Sequence, residues 1–107
     1  MARVLIFWTH PHHLSTEEAD AWTRDELRKV AALAAVERAE LTQLRTASER
    51  VGRAHDWMLE LHLAPGVEPS ECVDAQPCAE WIGDLRLLGM RPVVVAVDSS
   101  RPLQGHA

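Results

Sequence analysis

Short apolar runs and amphipathic stretches follow one another along this chain in the order strand, helix, strand, strand, helix, strand, and that order limits the folds open to it. Residues 3–9 (RVLIFWT) are apolar, short and rich in β-branched and aromatic side chains, the pattern of a strand buried on both faces. A loop opened by Pro11 follows. Ser15 then begins S-T-E-E, with Glu18 three residues on, which is a capping box. The helix it starts is expected over residues 16–34. Ala19, Trp22, Thr23, Leu27, Val30, Leu33 and Ala34 fall on one stripe of that helix, and Glu17, Asp20, Arg24, Asp25, Arg28 and Lys29 occupy the other side. Glu26 is the exception, a carboxylate inside the apolar stripe between Trp22 and Val30.

Residues 40–47 (ELTQLRTA) read as a partly polar strand suited to a sheet edge, and 48–54 as a polar connection. Residues 56–63 (DWMLELHL) alternate. Trp57, Leu59 and Leu61 share one face, and Met58, Glu60 and His62 share the other. Residues 64–76 read as a loop carrying Pro65, Gly66 and Pro69. Pro77 is tolerated only at a helix start, which places the second helix there. Cys78, Trp81, Ile82, Leu85 and Leu88 form its buried stripe, and Gly89 ends it. Residues 92–97 (PVVVAV) form the last strand, again apolar on both faces. One domain over residues 1–98 and a tail over 99–107 are expected.

With right-handed crossovers this order gives an α+β, ferredoxin-like βαββαβ sandwich. Its four-stranded antiparallel sheet has the order 4-1-3-2, with both helices on one face. The other face is left bare, and the two most apolar strands would expose on it more Val, Ile, Phe or Trp than soluble monomers usually tolerate. A second copy packed sheet against sheet is the simplest cover. A chain of 107 residues also buries only a modest share of its surface by itself.

The net charge of −5, with ten Arg and one Lys scattered along the chain, argues against a nucleic-acid partner. No apolar run approaches the ~20 residues that cross a bilayer, so no membrane partner is expected. Residues 1–8 stop too early for a signal peptide, at Thr9, His10 and Pro11, so a cytoplasmic location is the default. Cys72 and Cys78 fit neither C-x-x-C nor a zinc pattern and read as plain thiols.

In element order, in the opening strand RVLIFWTH, in the helix start STEEADAW and in the strand DWMLELHL, the chain resembles the dimeric α/β-barrel superfamily, and within it EthD-like and antibiotic-biosynthesis-monooxygenase-like proteins. The resemblance spans residues 3–97. EthD-like proteins commonly carry a Trp on the first helix and a His four residues later; here Trp22 is followed by Glu26. Haem-degrading members rely on a His in the second helix, and residues 77–88 contain none, so haem is not carried over and no cofactor is expected. The resemblance implies dimerisation through the open sheet face to form an α/β barrel. It also implies cofactor-free oxygenation or cyclisation of an apolar or aromatic small molecule.

Four groups of residues are candidates for function. Glu26 would lose solvation inside an apolar interior, which favours general acid–base work; alternatively it reaches water or pairs with Arg45. Glu60 and His62 stand two apart on one strand face, as a proton-transfer pair or as intersubunit hydrogen-bonding groups. His10, His12 and His13 should approach His55 and Asp56, where they could bind zinc or another transition metal or form a solvated loop. Trp8, Trp22, Trp57 and Trp81 could line an aromatic pocket or fill the core. The leading expectation is a homodimer that holds an apolar small molecule in a pocket between sheet and helices, with Glu26, Glu60 or His62 moving protons if it is an enzyme. A non-catalytic binding module and a His-loop metal site are the alternatives.

Overall fold

The structure, a computed structural model, describes residues 2–10, 14–45, 55–98 and 101–103. Among the described residues seven elements follow in order: β1 (Arg3–Trp8), α1 (Thr16–Ala31), β2 (Val36–Gln43), β3 (Trp57–Leu63), α2 (Pro69–Val73), α3 (Gln76–Leu87) and β4 (Val93–Val97). The strands make one antiparallel sheet in the order β2-β3-β1-β4, as the sequence predicts. The fold is ferredoxin-like.

Local chemistry explains most of the boundaries. Ser15 caps α1, its Oγ accepting from the Glu18 N–H at 3.1 Å. The helix stops at Ala31, short of residue 34, because residues 32–35 turn the chain: the Val36 N–H donates to the Leu33 carbonyl at 2.9 Å. That turn delivers Val36 into the core opposite Leu63. The second strand therefore starts at Val36 rather than at residue 40, and it ends at Gln43. The Ala-rich segment before it has helical propensity, but pairing with β3 overrides propensity here. A register irregularity between Val36 and Arg38 then sets the alternation of the rest of β2.

The stretch 64–76, expected to be loop throughout, contains α2. Pro69 stands at its first turn, and Glu71 Oε1 accepts from the Glu68 N–H at 3.4 Å. The short helix exists because it buries Cys72 completely. At the far end of α3, Gly89 adopts φ +72°. The Gly89 N–H donates to the Arg86 carbonyl and the Met90 N–H to the Leu85 carbonyl, at 3.1 and 2.9 Å. This is a Schellman motif, and Met90 and Leu85, its apolar pair, are both buried. Met90 then anchors the sheet: its carbonyl accepts from the Thr9 N–H at 2.7 Å and from Thr9 Oγ1 at 3.0 Å.

Alternation sorts each strand onto two faces. Val4, Ile6 and Trp8 of β1 and Leu59, Leu61 and Leu63 of β3 are buried beneath the helices, with Val30, Cys78, Trp81, Ile82 and Leu85 above them. The opposite face carries three cross-strand rows. Val93, Phe7, Met58 and Thr42 form the first, Val95, Leu5, Glu60 and Glu40 the second, and Val97, Arg3, His62 and Arg38 the third. This open face is apolar toward β4 and charged toward β2. β1 is only half-buried on that side, and Val93 and Val95 stay about 40% exposed (42% and 41%). β4, apolar on both faces, is a sheet edge, as the expected strand order has it, and its outer side is bare in the single chain.

Candidate functional site

A well-formed concavity lies on the helix-covered side, where α1 crosses the β2–β3 edge of the sheet. The alternation of β2 turns Ala39 and Leu41 toward the helix, beside Leu59 of β3. Leu27 and Ala31 close over them from α1, one turn apart. Arg24 and Arg28 complete the lining from the same helix face. The groove encloses about 370 Å³, within the range of small-molecule sites. Leu41 remains 41% exposed at its mouth.

The second cluster lies on the other side of the sheet. His62 Nε2 is 2.8 Å from Glu60 Oε1, and Arg3 Nη1 donates to Glu60 Oε2 at 3.2 Å. Arg38 Nη2 lies 3.1 Å from the same His62 nitrogen and 3.8 Å from Glu40 Oε2. One ring nitrogen cannot donate to Glu60 and accept from Arg38 together. The shorter contact, to a carboxylate, assigns the proton to Nε2 and leaves Arg38 to Glu40. Ligand atoms of Glu40, Glu60 and His62 lie within 4.8 Å of one another, a spacing that could hold a transition metal. Each carboxylate, however, already faces a guanidinium. The cluster is built as an ion-pair network first.

The other expected residues are dispersed. Glu26 is 22% exposed, and its Oε1 accepts from Lys29 Nζ at 3.3 Å, so its partner is Lys29 rather than Arg45. Trp8 and Trp81 pack edge to face in the core, with ring centres 4.9 Å apart, and Trp81 Nε1 has no hydrogen-bond partner among the described residues. Trp22 and Trp57 are half-buried against the same core. His10 is brought to β3 as expected: its N–H donates to Asp56, and its ring Nε2–H donates to the Leu14 carbonyl at 3.2 Å. His55 meets the Phe7 ring at 6.0 Å. His12 and His13 lie outside the described residues. Among the described residues, the only group of three or more metal-ligating side chains is Glu40, Glu60 and His62.

Cys72 and Cys78, both fully buried, are free thiols joined by a hydrogen bond. Donating to Cys72 pushes the Cys78 thiol well above the ordinary range, and burial adds to the rise. The same bond holds Cys72 below its usual value, against its own burial.

The residues that line the groove were not singled out by the sequence reading. Their signal is present in VERAELTQ, where Ala39 and Leu41 alternate with Arg38 and Glu40, once the strand is started at Val36. Glu60 and His62 stand on the face opposite Leu59, so neither they nor Glu26 line this groove.

No protein-family model and no curated protein matches the chain. Solved structures do match its fold. A protein of Arabidopsis thaliana superposes with a TM-score of 0.72 at 9% identity, over 97% of this chain and 100% of its own. A dimeric ferredoxin-like protein of unknown function from Thermobifida fusca gives 0.66 at 11%, over 90% and 88%. An EthD family protein from Bacillus halodurans gives 0.66 at 10%, over 94% and 99%. A DABB family protein and one described as an antibiotic biosynthesis monooxygenase belong to the same set. The resemblance read from the strands and the first helix therefore holds at the level of the fold. Among the described residues no helix is long and apolar enough to cross a membrane.

Proposed function

We propose that this chain is a homodimeric small-molecule-binding protein, with the ligand in the α1–β2–β3 groove and the open sheet face as the seam between copies. The groove carries the reading. Leu27, Ala31, Ala39, Leu41 and Leu59 present an apolar site of small-molecule size that the single chain does not fill. For the seam, the support is the apolar half of the open face, Leu5, Phe7, Met58, Val93 and Val95, and the dimeric T. fusca neighbour of the same fold. The charged half, Arg3, Glu60, His62 and Arg38, would set register across the seam. Glu26 and the Glu60–His62 pair lie outside the groove's lining, so binding rather than proton transfer is the primary role. Cofactor-free oxygenation or cyclisation, which the resemblance implies, would then require a substrate that reaches Glu26 beside Leu27.

Two measurements test this. The uncharged dye N-phenyl-1-naphthylamine should brighten on binding the wild type, and Ala39→Phe, which fills the groove, should remove that signal while the melting temperature holds. Sedimentation equilibrium should give a dimer that Val95→Lys converts to a monomer. A wild type that stays monomeric at high concentration overturns the seam, and dye binding untouched by Ala39→Phe overturns the groove.

A further inference from the structure

The groove's polar groups specify what kind of molecule it takes. Its lining contains two charged side chains, Arg24 and Arg28, and no carboxylate. They stand one helical turn apart on α1, so both guanidiniums belong to one edge of the opening. This placement runs against the chain as a whole, which carries a net charge of −5. The neighbouring acids do little to neutralise the pair. Asp25 meets Arg28 only at 3.9 Å, between two strongly exposed side chains, and among the described residues no carboxylate lies within ion-pair distance of Arg24. β2 adds no opposing charge, because Glu40 points to the other face of the sheet with Glu60.

From this we infer that the groove selects an apolar monocarboxylic acid, whose hydrocarbon or aryl body lies on Leu27, Leu41, Leu59 and the two alanines and whose carboxylate meets Arg24 and Arg28. The inference rests on the groove being the binding site. Charge complementarity at one edge of an otherwise apolar slot fixes both the class of head group and the direction in which the ligand enters. A planar carboxylate suits guanidinium forks, which offer paired N–H donors. An alcohol of the same length would keep the apolar contacts and forfeit the charge-assisted bonds. An alkylammonium would be repelled.

The test is competition against N-phenyl-1-naphthylamine by decanoate, 1-decanol and decylamine on the full chain. Decanoate should displace the dye roughly tenfold more tightly than decanol, since two partly exposed charge-assisted contacts contribute a few-fold each. Decylamine should be the weakest. Arg24→Gln with Arg28→Gln should equalise decanoate and decanol, each competition being read against the dye's own affinity for that variant, and added salt should narrow the wild-type gap. If the dye binds in an Ala39-dependent way but decanoate and decanol compete equally, the head-group assignment is wrong while the groove survives. If the dye does not bind, both fall. A preference for decanoate that persists in the double variant places the anion elsewhere and also overturns the inference.

Discussion

His62 Nε2 lies 2.8 Å from Glu60 Oε1, two residues away on the same face of β3, and Arg3 of β1 holds the other oxygen of that carboxylate at 3.2 Å. Glu60 thus bridges two strands, and its side chain is only 17% exposed. A carboxylate so placed depends on its partners. In a double-mutant cycle with Glu60→Gln and His62→Ala, urea unfolding should give a coupling of about 1 kcal/mol, between the value of an exposed pair and that of a buried charged hydrogen bond. Additive losses would mean that the contact contributes nothing to the folded chain.

Gly89 ends α3 with φ +72°, and nothing lies within 4 Å of where a Cβ would stand. Substitution there therefore probes backbone conformation without a clash. Gly89→Ala should cost about 1 kcal/mol, and Gly89→Asn less, because Asn tolerates left-handed geometry better. Thermal melts of the two variants check the order. An Ala variant as stable as the wild type would show that the Schellman turn is not holding Met90 in place.

Trp81 sits edge-on to Trp8 with a buried indole N–H that meets no acceptor among the described residues. Removing the whole side chain should be costly, about 3–5 kcal/mol for Trp81→Ala. Trp81→Phe removes the unpaired donor along with one ring, and an orphaned donor is itself unfavourable when buried. Its loss should be well under half that of Ala in chemical denaturation. Equal losses would place an acceptor on the indole nitrogen.

The Cys78 thiol, pushed up by its bond to Cys72 and by burial, holds its proton in the folded chain at pH values where the unfolded chain releases it. Its contribution to stability is complete below the ordinary thiol value of 9.0 and is lost as pH rises above it. Cys72 is shifted the other way and offsets part of this. Between pH 8 and pH 10 the wild type should therefore lose more stability than Cys78→Ala, measured as urea midpoints. Both thiols should also resist iodoacetamide until the chain unfolds, because the sulfurs are fully buried. Alkylation under native conditions at neutral pH would contradict the burial.

The element order and the sheet faces were legible because they are local. Apolar runs at period two and period 3.6, the Ser15 cap and the Gly89 stop each depend on residues within one or two turns of chain. The alternation of Trp57-Met58-Leu59-Glu60-Leu61-His62 even placed Glu60 and His62 on one face before any partner was known. What failed was the segment from Ala32 to Gln43. Its Ala-rich start and scattered charges favour no single state locally, and only hydrogen bonding to β3 decides that Val36 begins a strand.

The sequence by itself determined a ferredoxin-like chain with one covered and one bare sheet face, because hydrophobic periodicity and capping are properties of neighbours in the chain. Tertiary structure alone decided where the groove forms. Whether Leu27, Leu41 and Leu59 meet, whether Glu26 turns to Lys29, and whether Trp8 and Trp81 fill a core or a pocket are set by register and packing distance between segments far apart in sequence. A one-residue difference in the pairing of β2 would exchange Leu41 for Glu40 in the groove. That choice follows from the complementarity of two surfaces, which no single stretch of residues encodes.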